Sequence, residues 1–168
     1  MGRALYNRPA SEGVPPLGES VEGELVYKKI VVGTDGSPTA GVALDHAISL
    51  AKATGATVHI VNAYRAMTAM AAIGPDFSAP DRGVLEDDAR RVCDEAAEAA
   101  RAAGLDAVTH IAEGDPADAL VKIAEYENAD LIVVGNRGMM GARRFITGSV
   151  PNRVAHHCPC HLLVVHTT

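Results

Sequence analysis

From residue 28 onward, short apolar runs alternate with stretches in which apolar residues recur at helical spacing. The runs are KKIVVGT (28–34), ATVHIVNA (56–63), DAVTHIAEG (106–114), ADLIVVGN (129–136) and CHLLVVHT (160–167). Between them lie 38–54, about 84–103, 116–127 and 148–157. In the first of these Leu44, Ala47, Ile48 and Ala51 share a face; in the second Leu85, Ala89, Val92, Ala96 and Ala99 do. The punctuation agrees with helices at these places. Ser37-Pro38 and Asp115-Pro116 read as an N-cap followed by an N1 proline, and Gly55 and Gly104 stand where C′ glycines belong. The pattern predicts five strands alternating with four helices.

Runs such as KKIVV and LIVVG are apolar at consecutive positions, which requires burial on both faces and hence a parallel sheet between two helix layers. The expected fold class is therefore α/β, a doubly wound five-stranded parallel sheet. Segment 64–83 interrupts the rhythm with a long Ala-, Met- and Pro-rich stretch and reads as a surface loop. Residues 1–26 carry Pro9, Pro15 and Pro16 among scattered charges without any period, and read as a flexible N-terminal extension preceding a single domain over 27–168. A docking tail for a partner is the functional alternative for that segment.

Composition narrows the function classes. The 168 residues are 48% hydrophobic and 21% charged, ordinary for one globular domain. Fifteen basic against 21 acidic side chains give a net charge of −6, which removes an overall electrostatic case for nucleic acid or an anionic membrane. Aromatics are only 4%, with no Trp, so stacking platforms for single-stranded nucleic acid have little to build on. No apolar run approaches the roughly 20 residues that span a bilayer, and the N-terminus lacks a signal-peptide core, so a cytoplasmic protein is expected. Three cysteines make no disulfide framework, in keeping with a reducing compartment.

In open α/β sheets ligands bind beyond the carboxyl ends of the strands, where the chain order reverses. Strand 1 is followed by Gly33, Thr34, Asp35, Gly36 and Ser37, and strand 4 by GNRGMMGARRFITGSV, Gly135 to Val150. The glycines of the second segment permit left-handed backbone and close approach to a ligand, and Gly148-Ser149 opens a helix whose free N–H groups favour an anion such as phosphate. Neither G-x-x-x-x-G-K-[ST] nor a G-x-G-x-x-G after strand 1 is present, which disfavours P-loop ATPase chemistry. The spacing is instead G-x2-G-x9-G-S, formed by Gly135, Gly138, Gly148 and Ser149.

With KKIVVGTDGS at its start, ADLIVVGNRG in the middle and GSVPNRVAHHCPCHLLVV at its end, the sequence resembles the universal stress protein family over about 27–168, in particular its ATP-binding members. The resemblance implies a Rossmann-like sheet, of the adenine nucleotide alpha hydrolase-like type, in the order 3-2-1-4-5, with the switch point between strands 1 and 4. It implies a crevice lined by Gly33, Thr34 and Asp35, with Asp35 near the ribose, by Ala63 at the adenine, and by Val134 at the position before the first motif glycine. Gly135 and Gly138 would border ribose and phosphates, which Gly148, Ser149 and Val150 would hold. Gly33 departs from the proline of some family ATP binders, and Ala63 is small where a larger aliphatic can pack the base. The implied ligand is ATP with Mg²⁺ held through its phosphates, or alternatively cyclic AMP. The implied assembly is a homodimer through the strand-5 edge, about 160–167.

Each candidate has a plainer role beside the chemical one. Asp35 can shape the turn before a helix cap, Ser149 can be only a cap, and Arg143 and Arg144, candidate phosphate partners, can be solvated loop cations. The run His156, His157, Cys158, Pro159, Cys160, His161 invites a zinc reading, but Cys160 and His161 enter a strand and no second pair has finger-like spacing. Cys93 reads as a small core or semi-buried residue on a helix. No base is placed at a γ-phosphate, and G-x-S-x-G and H-E-x-x-H are absent, so the reading favours binding with at most slow ATP turnover. The expected function is that of a nucleotide-dependent stress-response regulator acting on an unknown protein partner. A non-nucleotide interaction module and a redox or metal sensor using Cys158 and Cys160 are the rivals.

Overall fold

The computed structural model describes residues 27–65, 81–136 and 150–167. The predicted alternation is present as β1 (Lys29–Gly33), α1 (Pro38–Thr54), β2 (Thr57–Tyr64), α2 (Arg82–Ala102), β3 (Ala107–Glu113), α3 (Pro116–Glu127), β4 (Leu131–Gly135), α4 (Val150–His157) and β5 (His161–Val165). The strands form one sheet in the order β3-β2-β1-β4-β5, and every neighbouring pair is parallel.

Helix starts and stops follow the expected chemistry. Ser37 Oγ accepts from the Ala40 N–H at 3.2 Å and Asp115 Oδ1 from the Ala117 N–H at 2.9 Å, each ahead of a proline that forgoes an N–H no helix bond needs. Gly55, at φ 71°, closes α1 in the left-handed region with its N–H on the Ala51 carbonyl. Both ends of the loop expected over 64–83 belong to regular elements, since Tyr64 completes β2 and Asp81, accepting from the Gly83 N–H, caps α2, which starts at Arg82; residues 66–80 lie outside the described residues. Cys160 lies just before β5, which begins at His161.

Because successive strand residues point to opposite faces, consecutive apolar residues feed two separate cores. Ile30, Val32, Val58, Ile60, Leu131 and Val133 pack with α1 and α2; Val31, Val61, Ile132 and Val134 pack with α3 and α4. Leu44, Ala47, Ile48 and Ala51 are buried as expected. On α2 the stripe is rotated: Ala89, Cys93, Ala96, Ala97 and Ala100 are buried, whereas Leu85 and Val92 are half-buried and Ala99 is exposed. In an alanine-rich helix several faces are small enough to pack, so composition alone does not fix which one meets the sheet.

Candidate functional site

The sheet order makes β1 and β4 neighbours whose outgoing chains part company. From β1 the chain passes through α1 to β2 on one side, and from β4 through α4 to β5 on the other. Those helices also cover opposite faces of the sheet. The switch point therefore lies beyond Gly33 and Gly135, the last residues of the two strands.

Thr34 is held against β2 by its N–H on the Val61 carbonyl, 2.9 Å, and its Oγ1 accepts from the Gly36 N–H at 3.2 Å. Asp35 Oδ1 accepts from the Ser37 N–H at 3.0 Å, the turn-shaping contact expected of an aspartate ahead of a cap. Gly33 has a packing reason to lack a side chain, since a Cβ there would stand 3.2 Å from Leu120 Cδ1 on α3. Gly36 is constrained more strongly. At φ +74°, with an added Cβ only 3.1 Å from Val92 Cγ2, it combines left-handed backbone with a close neighbour. Gly36→Ala is expected to cost about 1 kcal/mol, read as a lower urea midpoint at unchanged slope; an unchanged midpoint would show that this turn tolerates a side chain.

Val134 on β4 is buried in the core on the α3 and α4 side of the sheet, and Ala63 at the end of β2 and Val150 at the start of α4 pack against that same core. The structure thus brings three of the apolar candidates into one cluster next to the switch point. Gly138, Arg143, Arg144, Gly148 and Ser149 lie outside the described residues. Asn136, inside the glycine motif, serves the fold itself. Its Oδ1 accepts from both the N–H and the hydroxyl of Thr167, at 3.0 and 2.8 Å, tying the end of β4 to the chain beyond β5.

One charged constellation at this end of the sheet was not apparent in the sequence. Asp115, besides capping α3, pairs through Oδ2 with Arg65, just beyond β2, and with Arg153 on α4; Arg153 also reaches Asp118 at 2.7 Å. Desolvation opposes ionisation of Asp115, but the Ala117 N–H and the Arg153 guanidinium outweigh it and hold the carboxyl below the usual aspartate range.

A second group lies toward the amino ends of the strands. His59 on β2 and His110 on β3 stack with ring centroids 5.3 Å apart, and His59 Nδ1 is 3.1 Å from His110 Nε2. Glu127, the last residue of α3, places Oε2 3.9 Å from His59 Nδ1 and Oε1 3.9 Å from His110 Nε2. Lys29 Nζ donates to the Glu127 carbonyl at 2.7 Å and lies 3.5 Å from Oε2. Burial pushes both imidazoles below the ordinary histidine range despite the nearby carboxylate, so they are neutral at neutral pH. The only sequence signal for this group was a histidine next to an apolar residue in each of two strands.

Two of the cysteines, Cys93 and Cys160, are held in the thiol form by their surroundings. Burial pushes the Cys93 thiol up to about 11, and burial together with Cys158 pushes Cys160 up to about 12. Cys158 and Cys160 Sγ are 4.0 Å apart. Among the described residues no helix is long and apolar enough to cross a membrane.

Residues 26–166 match the universal stress protein family. Universal stress protein MJ0531 of Methanocaldococcus jannaschii is 34% identical over 150 residues, covering 85% of this chain and 84% of that protein. Universal stress protein Rv1636 of Mycobacterium tuberculosis is 36% identical over 152 residues, covering 84% and 98%. A crystal structure of a universal stress protein in complex with cAMP superposes with a TM-score of 0.68 at 34% identity, covering 85% of this chain and 99% of that one. With the doubly wound sheet in the order β3-β2-β1-β4-β5 and a match over nearly the whole of that sheet, this chain belongs to the universal stress protein family.

Proposed function

We propose that the chain binds an adenine nucleotide, ATP carried with Mg²⁺, in the crevice beyond β1 and β4. The observation that carries this reading is the position of the G-x2-G-x9-G-S run, which begins at Gly135, the residue on which β4 ends beside β1. Ala63, half-buried at the end of β2, suits a purine face, and Asp35 stands just beyond the end of β1 where ribose hydroxyls need an acceptor. In this reading Gly33 and Thr34 line the crevice, and Gly135 and Gly138 let the backbone come close to ribose and phosphates. Gly148, Ser149 and Val150 hold the phosphates through N–H groups at the start of α4 and the serine hydroxyl, with Arg143 and Arg144 as further partners. Magnesium, held by the phosphates, supplies neutralising charge.

Occupancy of the crevice changes loop 136–147 and hence dimer or partner contacts, which makes the chain a regulator in a cytosolic stress response, with at most slow ATP hydrolysis. Residues 27–168 form the binding domain and 1–26 its extension. A homodimer through the β5 edge fits that strand's terminal place in the sheet and its exposed Val164. Cyclic AMP is the second reading, favoured by the related structure in complex with cAMP.

Calorimetric titration of the full chain with ATP plus Mg²⁺, repeated with cyclic AMP, tests both. Micromolar binding of ATP, weakened at least about 10-fold in Gly138→Val, is the expected result. Tighter binding of cyclic AMP selects the second reading. Heat from neither, in folded and nucleotide-free protein, overturns nucleotide binding and leaves a protein-interaction module.

A further inference from the structure

We infer that His59, His110 and Glu127 form a binding site for a divalent metal of the zinc class, separate from the nucleotide crevice. Two neutral imidazoles and one carboxylate are a donor set that zinc favours, with a fourth position left for water. The distances suit the ion. Zinc bonds of 2.0–2.1 Å in tetrahedral geometry put neighbouring donor atoms about 3.3 Å apart; His59 Nδ1 and His110 Nε2 stand 3.1 Å apart, and each lies 3.9 Å from a different oxygen of Glu127, Oε2 and Oε1 respectively. All three ligand atoms lie within 4.8 Å of one another. A small movement of the Glu127 side chain completes the triangle.

Three further observations point the same way. His59 is 3% exposed, and the nitrogen it turns toward His110 and Glu127 is Nδ1, 3.1 Å from His110 Nε2 and 3.9 Å from Glu127 Oε2. Glu127 is oriented from behind, because Lys29 holds its carbonyl and sits beside Oε2, leaving Oε1 toward His110. The site is also reachable: the His110 and Glu127 side chains are 14% and 20% exposed. Bound there, the ion would join β2, β3 and the end of α3 at the amino ends of the strands, away from Gly33 and Gly135.

The test uses the full chain carrying Cys158→Ser and Cys160→Ser, stripped of metal and free of nucleotide, so that neither thiolates nor phosphates contribute. Zinc is titrated against a chromophoric chelator, and cobalt(II) is added separately for its visible spectrum. One zinc per chain and a tetrahedral cobalt band are expected, with affinity falling at least about 10-fold in His110→Gln and in Glu127→Gln. Circular dichroism establishes that these partly exposed variants remain folded. Absence of zinc binding in the folded parent overturns the site, whatever the variants do. Equal affinity in parent and His110→Gln overturns it as well, as does binding that appears only when Cys158 and Cys160 are restored.

Discussion

Ile132→Ala is expected to lower the unfolding free energy by about 4 kcal/mol, within the 2–5 kcal/mol usual for emptying a core position. Ile132 has no exposed surface and occupies β4 between β1 and β5, paired with Val31 on one side and Leu162 on the other. Its side chain faces α3 and α4, where Leu120, Ala124 and Val154 are also buried. Four of the neighbours in that core are alanines, Ala117, Ala119, Ala124 and Ala129, whose short side chains cannot reach into the space left by a lost isoleucine. Partial collapse is therefore small and the cavity term large. Ile132→Val, which removes one methylene, should cost about 1 kcal/mol. Since domains are stable by only about 5–15 kcal/mol, the alanine variant should show a much lower urea midpoint. A loss below about 1 kcal/mol for Ile132→Ala would mean that this face of β4 is not packed as described.

The same strand shows why most of the architecture was legible beforehand. LIVVG can be buried on both faces only in a sheet covered on both sides, and the helical stretches around it supply the two covers. Pro38 and Pro116, each after a side-chain acceptor, fixed the starts of α1 and α3, so those helices run as expected from 38 to 54 and from 116 to 127. The order of the strands is a different matter. Apolar runs say that a strand is central or peripheral but not which neighbours it has, and the order came with the family resemblance.

What stayed hidden depends on contacts between distant segments. The rotation of α2 is one case: Cys93 was recognised as a core residue, yet Ala99 and Ala100 are chemically equal and only docking on the sheet exposes one and buries the other. His59, His110 and Glu127 are another, separated by 51 and 17 positions in the chain and joined only when β2 and β3 pair and α3 packs back over them. Of the crevice, the ends of β1 and β4 could be read from the sequence, because the apolar runs mark where each strand stops and the family resemblance supplies the order that makes them neighbours. The Asp115 constellation could not, because the sequence shows a cap and says nothing of which cations fold onto it.

Asp115→Ala should cost about 2 kcal/mol, from about 1 kcal/mol for a lost N-cap and up to about 1 kcal/mol for its ion pairs with Arg65 and Arg153. Asp115→Asn separates the two contributions. Asparagine caps a helix as well as aspartate does but carries no charge, so this variant should lose only the ion-pair share. Acidity provides a second separation, because the folded carboxyl titrates below the ordinary aspartate range. A depressed carboxylate contributes its stability above the unfolded pKa of about 3.9 and loses it as pH falls through the folded value. The gap between the parent and Asp115→Asn should accordingly stay constant from about pH 7 to 5 and close below about pH 4. Equal losses in the alanine and asparagine variants would assign the whole effect to charge; a gap that persists in acid would remove charge from the account. Arg153 sits on α4, one turn after Val150, so Asp115 also anchors the helix that opens after the glycine motif. If the start of α4 holds phosphate as proposed, Asp115→Asn should weaken nucleotide binding although its side chain caps α3, whereas a purely local cap would leave the affinity unchanged.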